Sequence, residues 1–495
     1  RLPGYSPYDP PCVPVFSGDN GGATAQGVTK DKVVVVRYLS QNSAAVNAAL
    51  NAAGAQDTQA QIDHNDETYR RYFNLHFETY GREVVLETKQ GSGTPTDDNV
   101  ARADAIDIAT RLKPFAVVVA APYGVTPVFV GELAARGVVC VCLQVGSRAI
   151  YNRMNGYAWP SNTDYPTADT QFVHTAEYIG KRLANRPAQF AGSLPLNISK
   201  STRKFGLIAE TQVNGRTDSD AEGVVNLFQQ QLARYGVQLT KIVQIPADVS
   251  QYQEEAPNVI GQMKAAGVTT MICFCSLFAP VSFTREATNE QYFPEWMING
   301  TYYADTTFWG RLYDQQQWRH AFGLTPLEVI VGNYRGYEIS EWLDMNPGHQ
   351  ASEAGVAHTL RENMLRVLFT GIDMAGPSLT VQNFAAGLNR YPATGGDPVN
   401  GLWSFGRPDN GVPADMAEVW YDPTRQGNDE VGKNGVGMIV FVAGGRRYGI
   451  GGWPTTVPDV FDPRGAVTYQ DVPGNRARPY KDATYPASKR CRSCS

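Results

Sequence analysis

Three uninterrupted apolar runs do most to limit what this chain can become. "VVVV" at Val33–Val36, "FAVVVAA" at 115–121 and "VVCVC" at 138–142 place no polar residue at alternate positions. A strand built from any of them has no face to give to water, which suits a parallel sheet covered by helices on both sides. The segments between them have helical spacing. Ala105, Ile108, Ala109 and Leu112 share one face, and Asp97 and Asp98 stand in the first turn, where the helix dipole favours acids. The pattern predicts strand 33–39, helix within 44–80, strand 83–89, helix 97–113, strand 115–121, helix 126–136 and strand 138–143.

From Lys204 the order starts again: strand "KFGLIAE", helix 218–235, strand "VQLTKIVQI", helix 254–266, strand "TTMICFC". Tyr80-Gly81 aligns with Tyr235-Gly236, each glycine standing where a left-handed cap is wanted. At that offset of 155, Val117 falls on Ile272 and Val119 on Phe274. Upstream the offset is 171, and the 16 additional residues fit "NSAAVNAALNAAGAQD" behind the first strand. Two β-α-β units linked around Trp159–Asp164 predict two open α/β lobes facing each other.

Residues 333–454 do not repeat the pattern. "ASEAGVAHTLRENMLRVLFTGIDMAG" reads as a long helix with Val356, Leu360, Met364 (or Asn363) and Val367 on one face, followed by short strands in "GLWSFGRPDNG" and "MAEVWYDP". Residues 455–495, rich in Pro, Arg and Lys, read as an irregular tail, wrapping or disordered.

At 495 residues the chain exceeds one compact core, and its net charge of -5 offers no basic field for nucleic acid or an anionic membrane. No apolar run approaches the roughly 18 residues of a membrane span. "RLPGYSPYDP" lacks the apolar segment of an export signal, so none is expected within the chain. In "VVCVCLQ" and "MICFCSL" the cysteines of each pair fall on one strand face and read as small buried hydrophobes. The terminal "CRSC" follows no strand and opens no helix, which favours a tail disulfide or idle thiols over redox chemistry.

A nucleotide cradle is not offered. The first strand exits into Ser40, Gln41, Asn42 and Ser43, where a dinucleotide fold would carry a glycine turn. "GNDEVGKN" satisfies G-x-x-x-x-G-K from Gly427 to Lys433. However, Asn434 replaces the metal-binding Ser/Thr, Asp429 and Glu430 would repel phosphate, and a strand "GMIVFV" follows. It reads as an acidic turn. G-x-S-x-G and H-E-x-x-H are absent and the six histidines are scattered, so no catalytic residue, metal site or cofactor is expected.

The order of these segments resembles one family. "QGVTKDKVVVVRYLS", "RADAIDIATRLKPFAVVVAAPYG" and "GYAWPSNTDYPTADTQFVHTAEYIGKR" are similar to the first strand, the helix and strand before the first ligand loop, and the first interlobe crossing of type I periplasmic binding proteins. These are the branched-chain amino-acid and amide receptors of ABC transporters, and the likeness spans roughly residues 20–450. It implies two Rossmann-like open-sheet lobes with three crossings and a ligand cleft between them. The expected division is an extension at 1–22, lobe 1 at 23–160 and 333–418, lobe 2 at 161–332 and 419–454, and a tail at 455–495.

By the same resemblance, ligand loops lie at the carboxyl ends of the strands. Lobe 1 would offer Ala121, Tyr123, Gly146 and Ser147, and lobe 2 would offer Gln212, Asn214, Phe278, Thr301 and Tyr302. Amino-acid receptors of the family hold the ligand carboxylate with a Ser-Ala-Thr-like loop and its ammonium with an acid. Here Arg148 interrupts the first, and Thr301 and Tyr302 replace the second, with Asp305 a nearby substitute. A plain amino acid is thereby disfavoured, because a buried ammonium needs a paired carboxylate. An amide, aromatic or carboxylated compound fits better, stacked on Tyr123, Phe278 or Tyr302 with Arg148 as its carboxylate partner. Ser40–Ser43 are candidate rim residues. The expectation is an extracytoplasmic, monomeric solute-binding receptor serving an ABC permease and closing by hinge motion. The alternatives are a ligand sensor and a surface or structural assembly protein on the same fold.

Overall fold

The computed structural model describes residues 6–94, 96–120, 125–143, 146–300, 303–329, 336–406 and 412–471. The first sheet holds β1 (Lys32–Leu39), β2 (Glu83–Gln90), β3 (Ala116–Val118), β4 (Val139–Leu143) and β5 (Ala158–Pro160), in the order β2-β1-β3-β4-β5 and parallel throughout. The apolar runs serve both of its faces. Val33, Val35, Ala116, Val118, Val139 and Val141 enter one core, while Val36, Tyr38, Val117, Cys140 and Cys142 enter the other.

The second sheet holds β6 (Phe205–Val213), β7 (Arg216–Thr217), β8 (Lys241–Pro246), β9 (Thr270–Phe274), β10 (Glu295–Asn299), β11 (Ala321–Thr325), β12 (Asp415–Asn428), β13 (Asn434–Phe441) and β14 (Arg447–Gly449). Its order is β13-β12-β11-β10-β9-β6-β7, with β8 on β6 and β14 on β12. The internal repeat reaches the level of register. The offsets of 171 and 155 carry the pair Val35–Ala116 onto Gly206–Met271 and the pair Val35–Leu86 onto Gly206–Lys241. Both halves therefore place their first strand between their second and third.

The excess of the first half forms a helix of its own, Ala44–Ala53, so the helical region within 44–80 is two helices. Ser43 caps the first and Gly54 ends it at φ 71°. Thr58 and Gln61 then start Gln59–His76 with a reciprocal capping box. Ala49, Leu50, Ala53 and Ala55 pack against the core of the second lobe. The segment is anchored back on the first lobe by Asp57, whose carboxylate accepts the backbone N–H groups of Val356 and Ala357 at 2.7 and 2.9 Å.

Helices Tyr337–Met345, His358–Ala375 and Val381–Asn389 return to the first lobe and complete one of its cores. "GLWSFG" is not a strand. Its backbone makes only an isolated bridge, Thr394 with Trp403, and its apolar residues Trp403 and Phe405 are core fillers. "MAEVWYDP" is the start of the long β12, which joins the second sheet at Asp415, slightly ahead of the expected change of lobe at 418. The motif that mimics a phosphate loop is the β12–β13 hairpin turn. There the Glu430 carboxylate accepts the N–H groups of Thr307 and Phe308, and burial pushes its pKa up to about 7.

Residues 455–471 wrap the second lobe, and the rest of the expected tail lies outside the described residues. Arg182 donates to the carbonyls of Thr456 and Val457, Phe461 packs on Phe190, Phe322 and Trp420, and Val467 bridges to Phe441. Cys140, Cys142 and Cys275 are buried as expected and Cys273 is half-buried, but they are not thiols: Cys140 is bonded to Cys142 and Cys273 to Cys275.

Candidate functional site

The lobes meet where strands of both sheets end. After β4 the Gly146 carbonyl accepts the N–H of Ala168, and the backbone N–H of Arg148 donates to Asp169 at 2.7 Å, both acceptor and donor partners standing at the start of the helix Ala168–Tyr178. After β6, Asn214 donates its amide to the Thr96 carbonyl of the first lobe at 2.7 Å. Beside this junction Arg153 of the first lobe makes a bidentate pair with Asp220 of the second, at 2.8 and 2.7 Å.

The expected site residues fall into three groups. Ala121, Tyr123, Thr301 and Tyr302 lie outside the described residues. Gly146, Ser147 and Asn214 stand at the lobe junction; Ser147 is buried and caps the helix Arg148–Met154, and Asn214 occupies the exposed β6–β7 turn with φ 51°. Gln212 is half-buried and pairs through its backbone with β7 and β8. Phe278 sits apart from them, inside the second core, with Trp309 edge-on at 5.2 Å. In the polar knot, Gln41 ties to the Gly91 carbonyl and Ser43 is the helix cap, whereas the buried Ser40 hydroxyl has no partner.

Arg148 stands at the lobe junction. Its Nη2 reaches Thr170 Oγ1 at 3.3 Å, its Nε is buried without an acceptor, and no carboxylate among the described residues pairs with its guanidinium. Asp305, the substitute acid, is consumed internally. It accepts the hydroxyls of Tyr165 at 2.7 Å and Thr325 at 2.6 Å, and burial raises its pKa to about 6.

Sequence reasoning missed a second set of acids. The three crossings between lobes line a crevice of about 20 Å³ with Thr163 and Asp164 from the first, Glu328 from the second, and Trp403 from the third, while Tyr337 and Glu338 stand beside them. Asp164 accepts from the Tyr303 hydroxyl at 2.6 Å and from Asn363 Nδ2 at 3.3 Å. Glu328 accepts from the Tyr8 hydroxyl at 2.5 Å and the Gly401 N–H at 2.9 Å. Burial raises all three carboxyl pKa values, Glu328 to about 7, and the charge of Asp164 adds to the rise at Glu328 and Glu338. Nothing in the local sequence marks these residues, which come together only when the crossings do. Among the described residues no group of three or more His, Cys, Asp or Glu is arranged to hold a metal ion.

No family model and no curated protein matches the chain. Solved structures do. A solute-binding protein of an ABC transporter from Rhodopseudomonas palustris HaA2, in complex with p-hydroxybenzoic acid, superposes with a TM-score of 0.56 at 10% identity over 88% of this chain and 100% of that one. The fold is that of the type I periplasmic binding proteins. Another such structure, a solute-binding protein from R. palustris in complex with 4-hydroxybenzoate, gives 0.53 at 11% identity over 82% and 97%. The branched-chain amino acid transporter substrate-binding protein of Streptococcus pneumoniae, in complex with isoleucine, gives 0.52 at 10% identity over 83% and 100%. In a type I periplasmic-binding fold the crevice at the strand ends is the position expected of a ligand site, and Arg148 stands there. Among the described residues no helix is long and apolar enough to cross a membrane.

Proposed function

We propose that this chain is an extracytoplasmic solute-binding receptor that closes its two lobes over a small carboxylated organic ligand and presents it to an ABC permease. One observation carries the ligand class. Arg148 lies at the lobe junction with a buried, unpaired Nε and without a carboxylate partner among the described residues. A ligand carboxylate supplies the missing acceptor and, by touching both lobes, favours the closed state. The aromatic acids held by the R. palustris neighbours set the first compounds to try. No chemical step is assigned to the chain, and it is expected to act as a monomer.

Calorimetric screening of hydroxybenzoates, amides and amino acids tests the reading. A carboxylated ligand should bind, and Arg148→Met should weaken it about 10- to 100-fold, the worth of a charge-assisted hydrogen bond. Affinity unchanged by Arg148→Met, or no binding in any class, would overturn it.

A further inference from the structure

We propose that the crevice at the three crossings is a binding site for the ammonium group of an organic amine, with Asp164, Glu328 and Glu338 as its counter-charges and the rings of Tyr337 and Trp403 as its walls. This deepens the receptor reading and rests on it for the way a solute reaches the crevice. The site itself stands on its own composition. Three carboxyls border one small cavity, and among the described residues no Lys, Arg or His forms an ion pair with any of them. Arg447, whose charge is felt at Glu328, is already engaged: it donates to Asp415 at 3.0 Å and to the carbonyls of Leu327 and Pro326 at 2.8 and 2.6 Å.

A second observation points to a missing donor. Thr163, 1% exposed, lines the same cavity and leaves its Oγ1 without a partner. Asn363, 0% exposed, gives its Nδ2 to Asp164 while its Oδ1 has none. Buried polar atoms are nearly always satisfied, and an ammonium, with three N–H donors and no acceptor, answers a surplus of acceptors. The cavity volume admits a group about the size of one water molecule, which an ammonium head is. The carboxyls are not arranged to hold a metal ion. Aromatic faces beside the acids suit a cation that is stripped of water and attached to an organic body.

Benzylamine, benzyl alcohol and benzoate share a ring and differ in charge, so titrating each into the full chain by calorimetry separates the possibilities. Benzylamine should bind at least ~10-fold more tightly than benzyl alcohol, and Glu338→Gln and Glu328→Gln should each weaken it ~10-fold or more. Circular dichroism of these near-isosteric variants verifies that they fold. Benzylamine bound no better than benzyl alcohol, or bound equally by the Gln variants, overturns the site. Benzoate binding that depends on Arg148 with no amine binding also overturns it while leaving the receptor reading intact. Failure of every acid and every amine sinks both.

Discussion

Two groups of three carboxylates share the helix Tyr337–Met345, which gives Glu338 to one and Glu341 to the other, and the chain has treated them differently. In one, Asp9, Glu341 and Glu362 converge on Arg366, which is fully buried and spends Nη1, Nη2 and Nε on one acid each. In the other, Asp164, Glu328 and Glu338 have hydroxyl, amide and backbone donors, and among the described residues no Lys, Arg or His forms an ion pair with them. The first group shares a cation supplied by the chain itself, although Glu341 Oε2 and Glu362 Oε2 are buried without a hydrogen-bond partner. This difference separates an ion network that holds the fold from the acids proposed above as a binding site.

The largest effect should come from undoing the first group. Arg366→Met leaves three acids without their shared counter-charge and should destabilise the protein by about 3–5 kcal/mol, measured by urea unfolding. A loss below about 1 kcal/mol would erase the distinction between the groups.

Next is the response to pH. Burial raises Glu210, Glu328, Glu362 and Glu430 each to about 7 from an ordinary 4.5. A raised folded pKa means that the native state keeps a proton the unfolded chain has lost, so this stability is fully present below 4.5 and disappears as pH rises through 7. The melting temperature of the unliganded protein should fall from pH 5 to pH 8. His174, held down to about 4 by burial, and His320 and His358, lowered by the same cause, act in the opposite sense below their ordinary 6.5. Glu328→Gln should flatten the slope, and an unchanged slope would remove Glu328 from the account.

The smallest effect belongs to Glu338→Gln. Without a ligand it should change stability by less than about 1 kcal/mol, or raise it, because a carboxyl with no cation loses nothing when its charge is removed. A thermal melt beside Arg366→Met makes the contrast direct.

Much of the fold was legible because apolar runs and helical spacing are local signals. The 155 and 171 offsets, read from letters alone, turned out to be strand register. Where the reading failed, tertiary packing supplied the pattern. Trp403 and Phe405 gave "GLWSFG" the look of a strand because they fill a core, and Gly54 divided a helical region whose spacing alone does not mark the break. The site was less legible. Phe278 follows a strand end as a ligand residue would, yet its ring is core. Asp305 had the right chemistry, but Tyr165 and Thr325 already use its oxygens. Asp164 lies far along the chain from Glu328 and Glu338, and all three have unremarkable neighbours, so only the crossing geometry assembles them.

If the lobes open and close as proposed, the helix Ala44–Ala53 is a latch between them. Its ends belong to the first lobe, while Ala49, Leu50 and Ala53 rest on the second. The lobes cannot swing apart without stripping those side chains from their seat. Methyl groups and one partly buried leucine are worth about 1–3 kcal/mol, a factor of about 10 to 100 in the balance between shut and open. That is weak enough for thermal motion to release and strong enough to lengthen each closed interval. The dwell time of a captured solute would then be set partly by residues that never touch it.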